Sequence, residues 1–338
     1  PVVAGIWVLL AFTITATAFS LFQVPYIALP AELASGYDER TRLISARVVV
    51  LTIAILLFGA GAPEIRDSFD DEHLGYLVMA IVAGLVIGLG MFVSSFVARK
   101  GAPTEVPQFS VADNYRKGLH ALRRSQPFRA LLFTFLLQGL ATGLMLAGAQ
   151  YVARWVLDTG VTILFLSLIA PAILFAPLWA IVSRRIGKER TFILASALFG
   201  IAALSMTLLI WFPGAWLYAP VALAGAGYAG MQSLPMSMLP DVISHDAGTH
   251  GQGSAGTFGG VWTAGETTGM ALGATVLTIV LAASGYLESV GNQVVVQPGS
   301  AIVGIVLSFS VVPAAIIAAS LISFARYPLR KADIDVAA

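Results

Sequence analysis

The stretch LGYLVMAIVAGLVIGLGMFVSSFV, residues 74–97, contains no charged side chain. A helix needs roughly 20 apolar residues to cross about 30 Å of hydrocarbon. Residues 74–97 meet that length without interruption, which decides against a barrel strand, where apolar and polar residues alternate over about 10 positions. Working outward, eight further runs of the same kind occur at 2–29, 44–62, 128–152, 161–182, 191–212, 216–239, 258–283 and 301–324. One such run could be a buried core helix, but nine in succession cannot. Because the runs recur to the end of the chain, neither a signal peptide nor a single anchor fits. The sequence predicts an all-α, polytopic membrane protein.

Composition agrees. Of 338 residues, 58% are hydrophobic and 11% charged, less than half the ~25% charge of a soluble domain. The absence of cysteine excludes a disulfide scaffold, cysteine-ligated zinc and thiol catalysis. A net charge of +1 implies no nucleic-acid partner. Every Lys and Arg except Arg66 and Arg154 lies at the same side of the alternating spans. Positive residues favour the cytoplasm, so the C-terminus is expected inside the cell and Pro1 outside. The chain opens on Pro1-Val2-Val3, already within an apolar run, and a fragment lacking earlier helices is expected.

Four motifs carry more specific information. The first runs from Gln23-Val24-Pro25-Tyr26-Ile27-Ala28-Leu29-Pro30 through Glu32 to Tyr37-Asp38-Glu39-Arg40-Thr41-Arg42, with Arg47 downstream. Pro25 and Pro30 each remove a backbone donor, a break tolerated where a cavity or a neighbour satisfies the freed carbonyl. Asp38, Glu39, Arg40 and Arg42 mix signs in one short loop, suited to ion pairs that break and re-form. Arg47 lies about a turn inside the next span, where a charge either snorkels to the interface or faces a cavity. The second motif is Arg184-Arg185-Ile186-Gly187-Lys188-Glu189-Arg190, a tight basic turn. The third is Met238-Leu239-Pro240-Asp241-Val242-Ile243-Ser244-His245-Asp246. The fourth is Trp262-Thr263-Ala264-Gly265-Glu266-Thr267-Thr268-Gly269-Met270-Ala271-Leu272-Gly273. Here Glu266 is a carboxylate in the interior of a span, which is a functional candidate by default. Gly265, Gly269 and Gly273 form a small-residue face that allows close helix packing.

In order, these motifs resemble the glycoside–pentoside–hexuronide:cation symporters, the melibiose-permease-like branch of the major facilitator superfamily. The resemblance covers nearly the whole chain, as the fourth to twelfth helices of a twelve-helix fold. It implies a major facilitator fold with nine of twelve transmembrane helices present. Residues 1–98 would be a partial N-terminal bundle, 99–127 a basic linker and 128–338 a six-helix C-terminal bundle. The 3+6 division matches the three-helix repeat of such transporters. A separate chain or a preceding segment would supply the first three helices.

The resemblance further implies cation-coupled symport of a small polar solute, a sugar or glycoside, by alternating access in a bacterial inner membrane. Solute contacts are expected at Gln23, Tyr26, Arg47, Gln232, Trp262 and Thr263. Glu266 and Thr267 are the coupling candidates. Glu32, Asp38, Glu39, Arg40, Arg42, Arg184, Arg185, Lys188, Asp241 and Asp246 are expected to form a cytoplasmic gate. Two departures from the family pattern stand out. Thr267 replaces a lysine, and Gln23 stands where related members can carry an aspartate. No organic cofactor or metal site is expected; H⁺ or Na⁺ would be the coupling ion. The main alternative is a transporter of a lysolipid or other amphiphile, followed by a non-transport membrane subunit of a larger complex. The sequence has no Ser/His/Asp group, HExxH or paired intramembrane aspartates, so an enzyme is not expected.

Overall fold

The computed structural model describes residues 2–33, 50–51, 53–54, 57–59, 61–98, 123–250, 255–288 and 295–329. The chain divides into two compact units, one of residues 1–54 and 62–109, the other of residues 55–61 and 110–338.

In the first unit, α1 spans Val2–Leu33 and α2 spans Glu72–Ala98. Along α1 the hydroxyls of Thr13, Thr15 and Thr17 donate to the carbonyls of Leu9, Ala11 and Thr13 at 2.7–2.8 Å. Each polar group is thereby satisfied inside its own helix, as a lipid environment requires. The described residues of the expected 44–62 span are helical. Helical residues 62–67 turn into α2, whose start is capped by Asp71: its Oδ1 accepts from the backbone N–H of His73 at 2.9 Å. At that turn Gly75 lies so close to the Arg66 carbonyl that a Cβ could not fit.

The second unit is a helical bundle. Its elements are α3 (Gln126–Trp155), α4 (Val161–Ile186), α5 (Lys188–Ser205), α6 (Tyr218–His250), α7 (Ala255–Ala283), α8 (Gly299–Phe309) and α9 (Val311–Phe324). Seven described helical stretches are long and apolar enough to cross a membrane: those of α1 to α5, α7 and the α8–α9 pair. The expected 216–239 span begins in a 3-10 turn at Ala215–Leu217 and continues in α6, which is long but less apolar, because it carries Tyr228, Gln232, Asp241 and Asp246 among many small residues. The expected 191–212 span ends in a 3-10 turn at Met206–Ile210. The expected 301–324 span is two helices that meet at Ser310 (φ −125°, ψ −81°). Pro313 explains the break: it has no N–H to offer the Phe309 carbonyl four residues back. The Ser310 hydroxyl donates to Val306 O at 2.7 Å.

Helix α3 is the centre of this bundle. It packs most extensively on α7, and also on α9; α4 and α5 pack on α6. The α3–α7 contact is steric. A Cβ on Gly269 would stand 2.5 Å from the Leu136 carbonyl oxygen, so the expected glycine face of α7 lies against the α3 backbone. On another face α3 is tied by hydrogen bonds. Gln138, 2% exposed, donates through Nε2 to Ser196 Oγ on α5 at 2.8 Å and to Ser320 Oγ on α9 at 3.4 Å. The Thr134 hydroxyl reaches Ala130 O at 2.7 Å and Ser320 O at 3.4 Å. Apolar packing fills the rest. Phe128, Phe192, Phe258, Phe324 and Tyr327 cluster at the end of the bundle where α3, α5 and α7 begin and α9 finishes.

Candidate functional site

The span interior of the second unit holds a small polar constellation. On α6, Gln232 Nε2 donates to the Tyr228 hydroxyl at 2.8 Å. The two residues are one turn apart, so they share a helix face. Glu266, half-buried in the middle of α7, interacts electrostatically with that phenol. A phenol and an amide thus pair on α6 inside otherwise apolar helices, with a half-buried carboxylate on α7. Such a group supplies acceptors and donors in both directions, which suits a hydroxyl-bearing solute. Tyr228 also borders a cavity of about 20 Å³ whose walls include Leu164, Phe165, Phe199, Val221 and Phe309. That space admits about one water-sized group.

The other expected solute contacts fall as follows. Trp262, one turn before Glu266, is 2% exposed and stacks on Phe135 with ring centroids 4.4 Å apart. One face of the indole is therefore occupied by protein, while its Nε1–H has no hydrogen-bond partner among the described residues. Thr263 is half-buried and donates to Gly259 O at 3.0 Å. Thr267 is exposed and donates to Thr263 O at 2.5 Å. Gln23 and Tyr26 are half-buried on α1 in the first unit, where the Tyr26 ring stacks on Phe22 at 5.4 Å. Arg47 lies outside the described residues.

One end of the second unit is charged. Gly187 sits at φ +90° between α4 and α5, a backbone conformation glycine adopts without strain. The turn delivers Lys188, whose Nζ donates to Asp241 Oδ2 at 2.6 Å and to Ser237 O at 2.9 Å, both on α6. A second tie comes from just before α3. The Arg124 guanidinium grips Asp246 at two points, Nε to Oδ1 at 3.1 Å and a short contact from Nη2 to Oδ2. Asp246 is 1% exposed and the Arg124 side chain 24%, so the pair is part-buried. Of the expected gate residues, the structure thus engages Lys188 with Asp241, and Asp246 with an arginine not foreseen. Arg184 and Arg185 are exposed at the end of α4, and Glu32 lies near the end of α1. Asp38, Glu39, Arg40 and Arg42 lie outside the described residues.

Residues 1–331 match the family described as MFS/sugar transport protein. The chain belongs to that family. An uncharacterized symporter of Synechocystis sp. is 31% identical over 119 residues. That stretch is 35% of this chain and 22% of the relative, so the match spans less than a quarter of the relative's length. Two residues of these arrangements escaped the sequence. Tyr228 was signalled only by its i, i+4 spacing from Gln232, a pattern shared by much of any helix. Arg124 was one of six linker bases with nothing to distinguish it.

Proposed function

We propose that this protein is part of a secondary transporter that moves a sugar or glycoside by cation-coupled symport. The observation that carries the reading is the Tyr228–Gln232 hydrogen bond, with the half-buried carboxylate of Glu266, inside a bundle of membrane-spanning helices. Family membership supports transport as the activity, and the symporter relative supports coupling. Gln232 and Tyr228 would hold solute hydroxyls, with Gln23, Tyr26, Arg47 and Thr263 as further contacts. Trp262 would offer its unpaired indole N–H to a solute oxygen. Glu266 would couple solute to H⁺ or Na⁺, with Thr267 beside it. The Lys188–Asp241 and Arg124–Asp246 pairs would hold one gate state, with the basic end of the bundle and the C-terminus in the cytoplasm.

The same reading favours a polar solute over a lysolipid, because Tyr228 and Gln232 offer hydrogen-bonding groups within the span. A transporter function requires no catalytic group, and none is assigned.

The test is uptake of labelled glycosides by the full-length protein in proteoliposomes, with H⁺ or Na⁺ gradients imposed separately. Gradient-driven accumulation of a glycoside is expected, and Glu266→Gln should abolish accumulation while leaving downhill exchange. No gradient-dependent uptake of any glycoside, or accumulation of a lysolipid instead, overturns the reading.

A further inference from the structure

Among the described residues, the charged end of the second unit carries more positive charge than its carboxylates can neutralise. Six arginines are exposed there: Arg123 and Arg129 at the start of α3, Arg184 and Arg185 at the end of α4, Arg190 in the first turn of α5, and Arg326 after α9. That these positions share one end is fixed by contacts between them. Lys188 ties the start of α5 to the later part of α6, Arg124 ties the approach to α3 to the same helix, and Phe192 packs on Phe324 at 4.7 Å.

Two of the three described local carboxylates are engaged, Asp241 by Lys188 and Asp246 by Arg124, and the third, Glu189, is 7% exposed and has no ion pair among the described residues. Among the described residues none of the six arginines has an ion-pair partner. Arg129 donates to a neutral group, the Arg123 carbonyl, at 3.1 Å. Arg129 and Arg190 also sit at helix N-termini, where the helix dipole disfavours a cation and favours an anion. An exposed ring of guanidinium groups, whose planar forks match phosphate geometry, therefore surrounds a bundle end from which membrane-length helices emerge.

We propose that this ring is a docking surface for the phosphate headgroups of anionic phospholipids in the adjoining leaflet. Position selects a lipid over a soluble anion. The guanidinium groups stand at the ends of helices long enough to span the hydrocarbon, the depth at which headgroup phosphates lie. The two α6 pairs matter here because they consume two of the acids that would otherwise compete. The surface holds whether or not the protein carries sugar, since no solute contact enters it.

The test places the full-length protein in nanodiscs of phosphatidylcholine alone and of phosphatidylcholine mixed with phosphatidylglycerol. Retained lipids are then counted by native mass spectrometry. Preferential retention of phosphatidylglycerol is expected, falling as salt rises. Each arginine removed should lower the preference about fivefold, so the triple variant Arg123→Gln, Arg190→Gln, Arg326→Gln should lose most of it. Thermal unfolding of that variant in phosphatidylcholine alone checks that it is folded. The variant Arg184→Gln, Arg185→Gln serves as an independent second probe. Equal retention of both lipids by the wild type, or an undiminished preference in both folded variants, overturns the proposal. Because the readout is bound lipid, a failed glycoside uptake assay does not bear on it.

Discussion

The two ends of the second unit are fastened by different chemistry. At the charged end, ion pairs tie the α4–α5 turn and the approach to α3 onto α6. At the opposite end the hydrogen-bonded ties among the described residues are neutral. Trp155 Nε1 donates to the Tyr286 hydroxyl at 3.1 Å, and Tyr151 packs edge-on to Tyr286 at 5.4 Å. Gln297, 9% exposed, clamps the backbone of Leu287 from both sides, accepting from its N–H at 3.0 Å and donating to its carbonyl at 2.7 Å. An ion pair can exchange partners with any competing charge, whereas an amide clamp on a backbone has no equivalent competitor. The charged end is thus the one whose ties can be traded during a conformational cycle.

The sharpest way to break this contrast is at Asp246. Asp246 accepts two charge-assisted hydrogen bonds from Arg124, each worth about 1.5–3 kcal/mol, and the guanidinium left behind is 24% exposed. Asp246→Ala should therefore cause the largest loss of stability, read as a fall in the unfolding midpoint in detergent. The charge-exchanged double variant Arg124→Asp, Asp246→Arg should recover part of it. A double variant no better than the single would show that the two charges do not act as a pair. Lys188→Met comes next. Its ammonium is partly exposed and makes one charged and one carbonyl contact, so a loss of about 1.5–3 kcal/mol is expected, and Asp241→Asn should add little once Lys188 is gone.

The neutral end should yield smaller numbers with a different signature. Gln297→Leu removes two hydrogen bonds of about 1 kcal/mol each and should cost roughly 2 kcal/mol. Tyr286→Phe removes one, leaving the ring packing in place, and should cost about 1 kcal/mol. Both losses should be the same at low and high salt, while the Lys188 loss should shrink as salt rises. If the Gln297 loss also shrinks with salt, the contrast between the ends fails.

The difference between the ends also marks what a sequence exposes. Lys188 and Asp241 were legible because both lie in motifs whose residue order is specific. Asp246 stood out in the sequence as an acid within its motif, but its partner did not. A part-buried pair requires knowing which of many linker arginines reaches one helix, and that is a matter of three-dimensional placement. Spans were legible because hydrocarbon thickness fixes their length. Helix α6 showed the limit: membrane-length but carrying polar groups, it runs past residue 239 to His250 because Pro240 kinks a helix without having to end it. The split at Ser310 was hidden for the reverse reason, since Pro313 alone does not say whether a helix bends or stops. Gln138 was silent in the sequence because an isolated glutamine in an apolar run looks the same whether it bonds across helices or lines a pathway.

The first unit supplies the control for both ends. Arg66 donates through Nε to Asp67 Oδ1 at 2.7 Å, and its guanidinium lies over the Tyr76 ring at 5.5 Å. The hydrogen bond from Arg66 holds the Asp67 carboxyl below its usual range. A depressed carboxyl adds stability above the unfolded-state value of about 3.9, and that contribution disappears as pH falls through the lower folded value. The sign is therefore a loss on acidification, confined to pH below about 4. Its size is small, because the Asp67 side chain is 62% exposed and water screens the pair. Exposed pairs contribute about 0.2–1 kcal/mol, and the lower part of that range applies here. Asp67→Asn should leave the unfolding midpoint at neutral pH almost unchanged and flatten its acid dependence slightly. An effect as large as that of Asp246→Ala would mean that exposure does not set the strength of these pairs, and the reason for ranking the charged end above all else would go with it.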